Sequence, residues 1–445
     1  MTTVRILGSR AREQVPGTSI TLLAPGFRGA LTQLEPGVAT RSAFELPFSG
    51  PAAGAEVMLA AQLTLNLEAR AAMEAPGLRS RSAVAGYARV IVPRRHGVAY
   101  ALLQTDETGA SSFVLPGSHD ESEAIFPLTI AAQGATRRAL RVLMWPIAPV
   151  IGPGALEVAS RWELLRRPNQ LAQLSGGGQW GSPDWRALAG GPVLLLLHDT
   201  FSTPQATFAD WIGDASFAPV HRAFDGRCLA YTHPTLSSRL DENLDWLVAH
   251  LAQLPGPIDI VAHGRGGLLA RAIAADGRLP LRCVCQVGTP NKGTALAAPD
   301  NLPRFLDGHV AMLARTPANV AQATLEGALC MLRFVALGMV SPLPGIEPLL
   351  PGNSSVPTPG AGGHGAARWF TVSAQFAKAG GHGGEGLADF SATPNDLVVP
   401  VDGCHEPGAP VTDSLRLGGA EVHHHNYFAN CHVRDRLATW LVGQR

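Results

Sequence analysis

The chain has 445 residues, 46% of them hydrophobic and 16% charged, which is enough apolar material for two or three cored domains and excludes a disordered chain. Basic and acidic residues balance at 35 each with no block of like charge, which argues against a nucleic-acid or anionic-membrane partner. Met1–Val15 is polar and carries no signal-peptide pattern, and the apolar stretch Ala328–Leu350 is broken by Arg333 and three prolines, so the expected location is the cytoplasm with no membrane span.

Residues 1–165 read as a β-rich domain. Short apolar or alternating runs lie between turn residues at Ser19–Leu23, Glu56–Leu67, Ala83–Val92, Val98–Gln104, Ser112–Leu115, Ile125–Ala131 and Leu140–Trp145. No catalytic motif occurs among them. A glycine-rich linker is expected over 166–191, on the strength of Ser175-Gly-Gly-Gly and Gly190-Gly-Pro. From 192 to 445 strands alternate with helices, the signature of an α/β domain with a parallel sheet. The strands expected are Pro192–His198, Arg227–Thr232, Ile258–Ala262, Cys283–Val287 and Arg368–Gln375. The helices expected are Thr207–Ile212, Ser238–Leu254 (with Leu240, Leu244, Leu247 and Leu251 on one face), Leu268–Ala275 and Val433–Val442. An apolar helical stretch at about 300–352 reads as an inserted cap or as an ordinary core helix pair. Six cysteines at 228, 283, 285, 330, 404 and 431 show no zinc spacing and read as buried thiols.

The chemistry concentrates at Ile258–Gly267. An apolar strand runs into Ala262-His263-Gly264-Arg265-Gly266 and then into a helical pattern, the layout of a G-x-S-x-G nucleophile elbow with glycine in the serine's position. An acyl-transfer site also needs a base, a carboxylate that orients it, and oxyanion donors. Asp396, before the apolar run Leu397–Val399, is the carboxylate. His423, His424 and His425 precede the last helix; His424 is chosen as the base and His423 held as its alternate. Backbone N–H groups of Arg265 and Thr200 are the oxyanion donors. The three-histidine run is set aside as a metal site, because no acidic or cysteine ligand stands at fixed helical spacing beside it. No cofactor motif is found.

Five stretches together carry a resemblance: Val193–Ser202, Asp259–Arg271, Val287-Gly-Thr-Pro-Asn-Lys-Gly-Thr, Asn395–Val401 and Val422–Phe428. Residues 190–445 resemble an α/β-hydrolase of the lipase/esterase kind. The elbow and the His-x-Asn-Tyr-Phe run are similar to bacterial hydrolase domains, some of which occur beside CHAT-type protease domains. The resemblance implies an α/β-hydrolase fold with a helical cap and a Ser-His-Asp mechanism on an acyl ester or lipid. It maps the family serine onto Gly264, the small residue two before it onto Ala262, and the glycine of the His-Gly loop onto Asp199, after His198. An inward Asp199 would oppose a developing oxyanion. The chain is therefore expected to be a hydrolase silenced at Gly264, whether Gly264 is natural or introduced. A binding or scaffold protein on the same fold is the alternative, with a small-molecule or lipid ester in the pocket or a protein partner on the β-rich domain. A replacement nucleophile from Ser202, Thr200 or Cys404-His405 would have to lie within about 3 Å of His424 Nε2.

Overall fold

The protein is described here from a computed structural model, over residues 2–34, 58–69, 84–146, 163–298, 343–352, 355–359, 367–376, 393–419 and 422–443, less a few positions within these spans, and at isolated positions between 301 and 328. The chain divides into two compact units. Met1–Val150 makes up most of one, and Ile151–His309 with Met339–Arg445 most of the other.

The first unit is built from antiparallel strands. β1 (Thr2–Ile6), β4 (Phe27–Leu34), β5 (Met58–Ala69), β10 (Ala135–Pro146), β7 (Val98–Asp106) and β8 (Ser111–Val114) form one sheet in that order. β2 (Glu13–Gln14), β3 (Thr21–Leu23), β6 (Val84–Pro93) and β9 (Glu123–Ala131) form the second. Alternation sets the inner faces, since side chains two apart on a strand share a side. Leu63, Leu65 and Leu67 of β5 and Leu140 and Val142 of β10 share one core with Ala88, Val90 and Val92 of β6 and Phe126, Leu128 and Ile130 of β9. The seven expected strand runs all fall on strands. β1, β2 and β4 were not expected, because the polar start of the chain masks their short alternation.

The second unit has the α/β-hydrolase fold. Its sheet has eight strands in the order β12 (Trp180–Gly181), β11 (Gln170–Leu174), β14 (Cys228–Thr232), β13 (Val193–Leu197), β15 (Ile258–His263), β16 (Leu281–Val287), β17 (Arg368–Phe376) and β18 (Val411–Gly419). β14 through β18 run parallel to one another, and β11 pairs antiparallel to β14. β13 and β15 are buried along their whole length, as strands covered by helices on both faces must be. The next strand after β13 lies on one side of it and β15 on the other. That reversal opens a crevice beyond the strands' C-terminal ends.

Two expectations need correction here. Residues 166–191 are not a linker: β11 and β12 belong to the sheet, and the glycine run is the hairpin turn between them, where Gly178 has φ 75° and donates to the Ser175 carbonyl. Glycine that serves a tight turn and glycine that serves a flexible linker look alike in sequence. The edge strand β18 was also unexpected. Only Leu415 and Leu417 alternate with exposed neighbours there, a weak signal. Most of the cap stretch lies outside the described residues. Cys228, Cys283, Cys285 and Cys404 are buried, and Cys431 is exposed. Among the described residues no helix is long and apolar enough to cross a membrane.

Buried ions hold the loops of this unit around the crevice. Glu163, 1% exposed, accepts from the backbone N–H groups of Thr235, Leu236 and Ser237 and from the Thr235 and Ser237 hydroxyls. Arg265, fully buried, sends its side chain away from the crevice: Nε donates to the Gly345 carbonyl, Nη1 to Asn243 Oδ1 and Nη2 to the Ser238 carbonyl. Burial lowers its pKa to about 10, so it remains charged at neutral pH. Charged hydrogen bonds of this kind contribute about 1.5–3 kcal/mol each, and a stranded buried acceptor costs a similar amount. Arg265→Leu should therefore lower the unfolding free energy by at least about 3 kcal/mol in urea titrations. An unchanged midpoint would remove Arg265 from the role of structural tie.

Candidate active site

β13 and β15 pair in register with Leu197 opposite Ala262. Two residues further on, Asp199 and Gly264 leave their strands at the same level of the crevice. Gly264 has φ 51° and ψ −123°, a region that side-chain-bearing residues rarely enter, and it begins the helix Arg265–Asp276 directly. The helix can start so close because Gly266 lies on β13, where a Cβ would come within 2.6 Å of the Leu197 carbonyl oxygen. The chain thus makes the sharp strand-to-helix turn that its sequence announces.

Asp199 fills the space this turn leaves. Its side chain points inward and is 3% exposed. Oδ1 accepts from the Arg265 backbone N–H at 2.6 Å, at the positive end of the elbow helix, and Oδ2 lies 2.9 Å from His424 Nε2. On its other side His424 Nδ1 lies 2.8 Å from Asp396 Oδ2. Tyr427 donates its hydroxyl to the same Asp396 oxygen, and Oδ1 of Asp396 accepts from the backbone N–H groups of Val398 and Val399. An imidazole lies between two carboxylates, each with backbone donors of its own. A Cβ at position 264 would come within 1.8 Å of Asp199 Oδ1 and 2.1 Å of its Cγ. Residue 264 can carry no side chain while Asp199 points inward.

The electrostatics follow from that geometry. Burial alone would drive the proton from His424, but the Asp396 charge and the Asp199 hydrogen bond outweigh it and push the pKa up to about 10. Burial would likewise raise the two carboxyls. The hydrogen bond and charge of His424 instead hold Asp199 well below the carboxylate range, and they lower Asp396 too. The group is therefore an imidazolium between two carboxylates. Phe201 at φ 61° and Leu397 at φ 82° stand beside the acidic residues' loops. Positive φ at such residues costs about 1–3 kcal/mol and persists where the surroundings enforce it.

The other candidate residues fall into different places. His423 accepts the His425 N–H at Nδ1, and its backbone N–H is bound by Asn426 Oδ1, so it does not join Asp396. His198 lies under the crevice with Nδ1 on the Asp199 carbonyl and Nε2 accepting the His233 N–H; burial lowers its pKa to about 3. The Thr200 hydroxyl is buried without a partner. His263 packs its ring against His424, 4.8 Å between centroids, and burial lowers its pKa to about 4. Two of the three alternative nucleophiles are spent elsewhere, and the third, the Thr200 hydroxyl, makes no hydrogen bond to His424. Ser202 Oγ pairs with Thr207 Oγ1 at 2.7 Å. Cys404 faces the Pro400 carbonyl, and its neighbour His405 spends its ring on Thr371 and Ser373. Burial pushes the Cys404 thiol up, away from the reactive thiolate. The atom that meets His424 Nε2 is a carboxylate oxygen, not a hydroxyl or thiol.

Sequence reasoning missed Tyr427, although it stands in the His-x-Asn-Tyr-Phe run, and missed His309 and Phe305 entirely. These last two lie in an apolar stretch with no motif. With Thr200, Asp199 and His424 they line a pocket with room for about one water. The His423–His425 run is not a chelating unit. Among the described residues the one grouping with metal-ligand spacing takes a single member of it: one ligand atom each from Asp199, His263 and His424 lies within 4.8 Å of the others.

A family model described as a domain of unknown function, DUF7379, matches residues 166–442, more than half of the chain. No curated protein matches the sequence. Solved structures similar to it include a lipase from Bacillus licheniformis (16% identity, 57% of this chain and 91% of that one, TM-score 0.32). A thermophilic esterase from Thermogutta terrifontis is 14% identical over 57% of this chain and 89% of that one, with a TM-score of 0.36. A carboxylesterase from Nitrososphaera gargenis is 13% identical over 57% of this chain and 92% of that one, with a TM-score of 0.35.

The charge state predicts a pH profile. The raised pKa of His424 stabilises the fold fully below its ordinary 6.5 and is lost as pH rises through about 10, while the lowered carboxyls stabilise above their ordinary 3.8 and lose that as pH falls through lower values. The contribution of the group should be complete between those two ordinary values. In nitrogen-15 spectra of EDTA-treated protein, His424 should keep both ring protons at pH 8. A neutral ring at that pH would contradict the assignment.

Proposed function

We propose, for a chain that belongs to the DUF7379 family of domains of unknown function, that the pocket derives from a lipase/esterase-like acyl hydrolase and performs no acyl transfer. The observation that carries this reading is the double contact of Asp199. Its carboxylate occupies the positions that a nucleophile and an oxyanion would need: one oxygen is on His424 Nε2 and the other on the Arg265 N–H. His424 and Asp396 are the base and its orienting acid in the ancestral scheme. Here the base has no hydroxyl to activate and holds its proton between two anions. Loss of a triad nucleophile lowers turnover by about a millionfold. A carboxylate in the oxyanion position repels the charge that an acyl-transfer intermediate would develop.

The two departures from the family pattern are one exchange. Gly264 gives up the side chain that Asp199 supplies from the facing strand, so the steric fit supports a natural pair rather than an isolated substitution. What remains is a hydrolase fold used for recognition or as a scaffold, with a water-sized pocket and a separate β-rich unit.

Labelling with a fluorophosphonate tests this. The parent chain should not label. Gly264→Ser alone should not label either, and should be destabilised by about 1–3 kcal/mol through overpacking against Asp199. Asp199→Gly combined with Gly264→Ser should label, because it restores both the hydroxyl and the vacant oxyanion position. Labelling of the parent would overturn the reading, and a stable, reactive Gly264→Ser single variant would overturn the exchange.

A further inference from the structure

The ion group leaves three buried polar side chains around it unexplained. Neither ring nitrogen of His263 makes a well-formed hydrogen bond, although the ring approaches the His424 backbone. His309 Nε2 and Thr200 Oγ1 are buried without partners. Buried imidazoles and hydroxyls are in large majority hydrogen-bonded, and a cluster of them that is not calls for an explanation. These residues lie around His424. His263 and His309 both pack against the His424 ring, at 4.8 and 5.7 Å between centroids, and His309 and Thr200 line the water-sized pocket with Asp199 and His424.

We propose that Asp199, His263 and His424 form a binding site for a divalent cation of the zinc class, held between His424 Nε2 and Asp199 Oδ2. The donor set selects the metal. Two imidazoles and one carboxylate suit zinc and its borderline transition-metal neighbours, whereas calcium and magnesium require oxygen ligands. Asp396 already holds His424 at Nδ1 and leaves Nε2 as the ligand atom, the carboxylate–histidine–metal arrangement that fixes ring orientation in such sites. The 2.9 Å between Asp199 Oδ2 and His424 Nε2 is a few tenths short of the separation of two tetrahedral ligands with arms of about 2.0–2.1 Å, and His263 closes from within 4.8 Å by turning its side chain. Charge favours the cation as well: the buried carboxylates of Asp199 and Asp396 balance its two positive charges. The fourth position is left to the pocket, which Thr200 and His309 line and which has room for about one water.

The test is calorimetric titration of the EDTA-treated full chain with zinc chloride, using Cys431→Ser as the background to remove the exposed thiol. One zinc per chain at micromolar affinity or tighter is expected, with a rise in the thermal midpoint and no response to magnesium or calcium. His263→Gln and Asp199→Asn should each weaken binding at least tenfold. Absence of stoichiometric binding, or affinity unchanged in both variants, overturns the site. X-ray absorption of the zinc-loaded parent needs no variant: a nitrogen and oxygen shell with two imidazoles supports the assignment, and a shell containing sulfur or a single imidazole overturns it. Binding is read without any turnover, so this result is separate from the fluorophosphonate experiment.

Discussion

One buried imidazolium ties the crevice together. His424 comes from the segment before the last helix, Asp396 from the loop after β17 and Asp199 from the end of β13, and their two short contacts draw these three segments to one point. Removing a single member of a buried charged group leaves the others unpaired at a cost of several kcal/mol, so the group constrains everything attached to it. It is tolerable in the interior because each carboxylate has backbone donors as well: Arg265 N–H for Asp199, Val398 and Val399 N–H for Asp396. A net negative charge is left over, and the positive end of the elbow helix lies against the carboxylate nearest to it.

The rest of the unit is organised to hold these segments still. Arg265 shows this in one residue. Its backbone N–H serves the crevice, while its guanidinium reaches the opposite way to fasten Asn243, Ser238 and Gly345. Glu163 does the same for the turn at 235–237 with an opposite charge. The positive φ of Phe201 and Leu397 is the local cost of aiming the two acidic loops inward.

The exchange between positions 199 and 264 is a matter of register. Because Leu197 stands opposite Ala262, the side chain two residues on from each strand enters the same volume, and only one of them can be present. Serine with glycine and glycine with aspartate are the two ways to fill it with a polar atom in reach of His424. The second brings a full charge where the first would bring a hydroxyl.

The sequence by itself determined the fold class, the elbow turn and the segments that meet at the crevice. Those signals are local: an apolar run ending in glycine, a helical period, an Asn-Asp before a buried strand-like run, and a histidine cluster before an amphipathic helix. It also named Asp199 as a departure and stated what an inward side chain would do. It could not tell which way that side chain points, since direction depends on the pairing of β13 with β15, two strands more than 60 residues apart in sequence. The choice of His424 over His423 at Asp396, the mistaken linker at β11 and β12, and the unforeseen His309 and Tyr427 have the same origin. Each depends on which distant segments become neighbours, and chain-local periodicity carries no information about that.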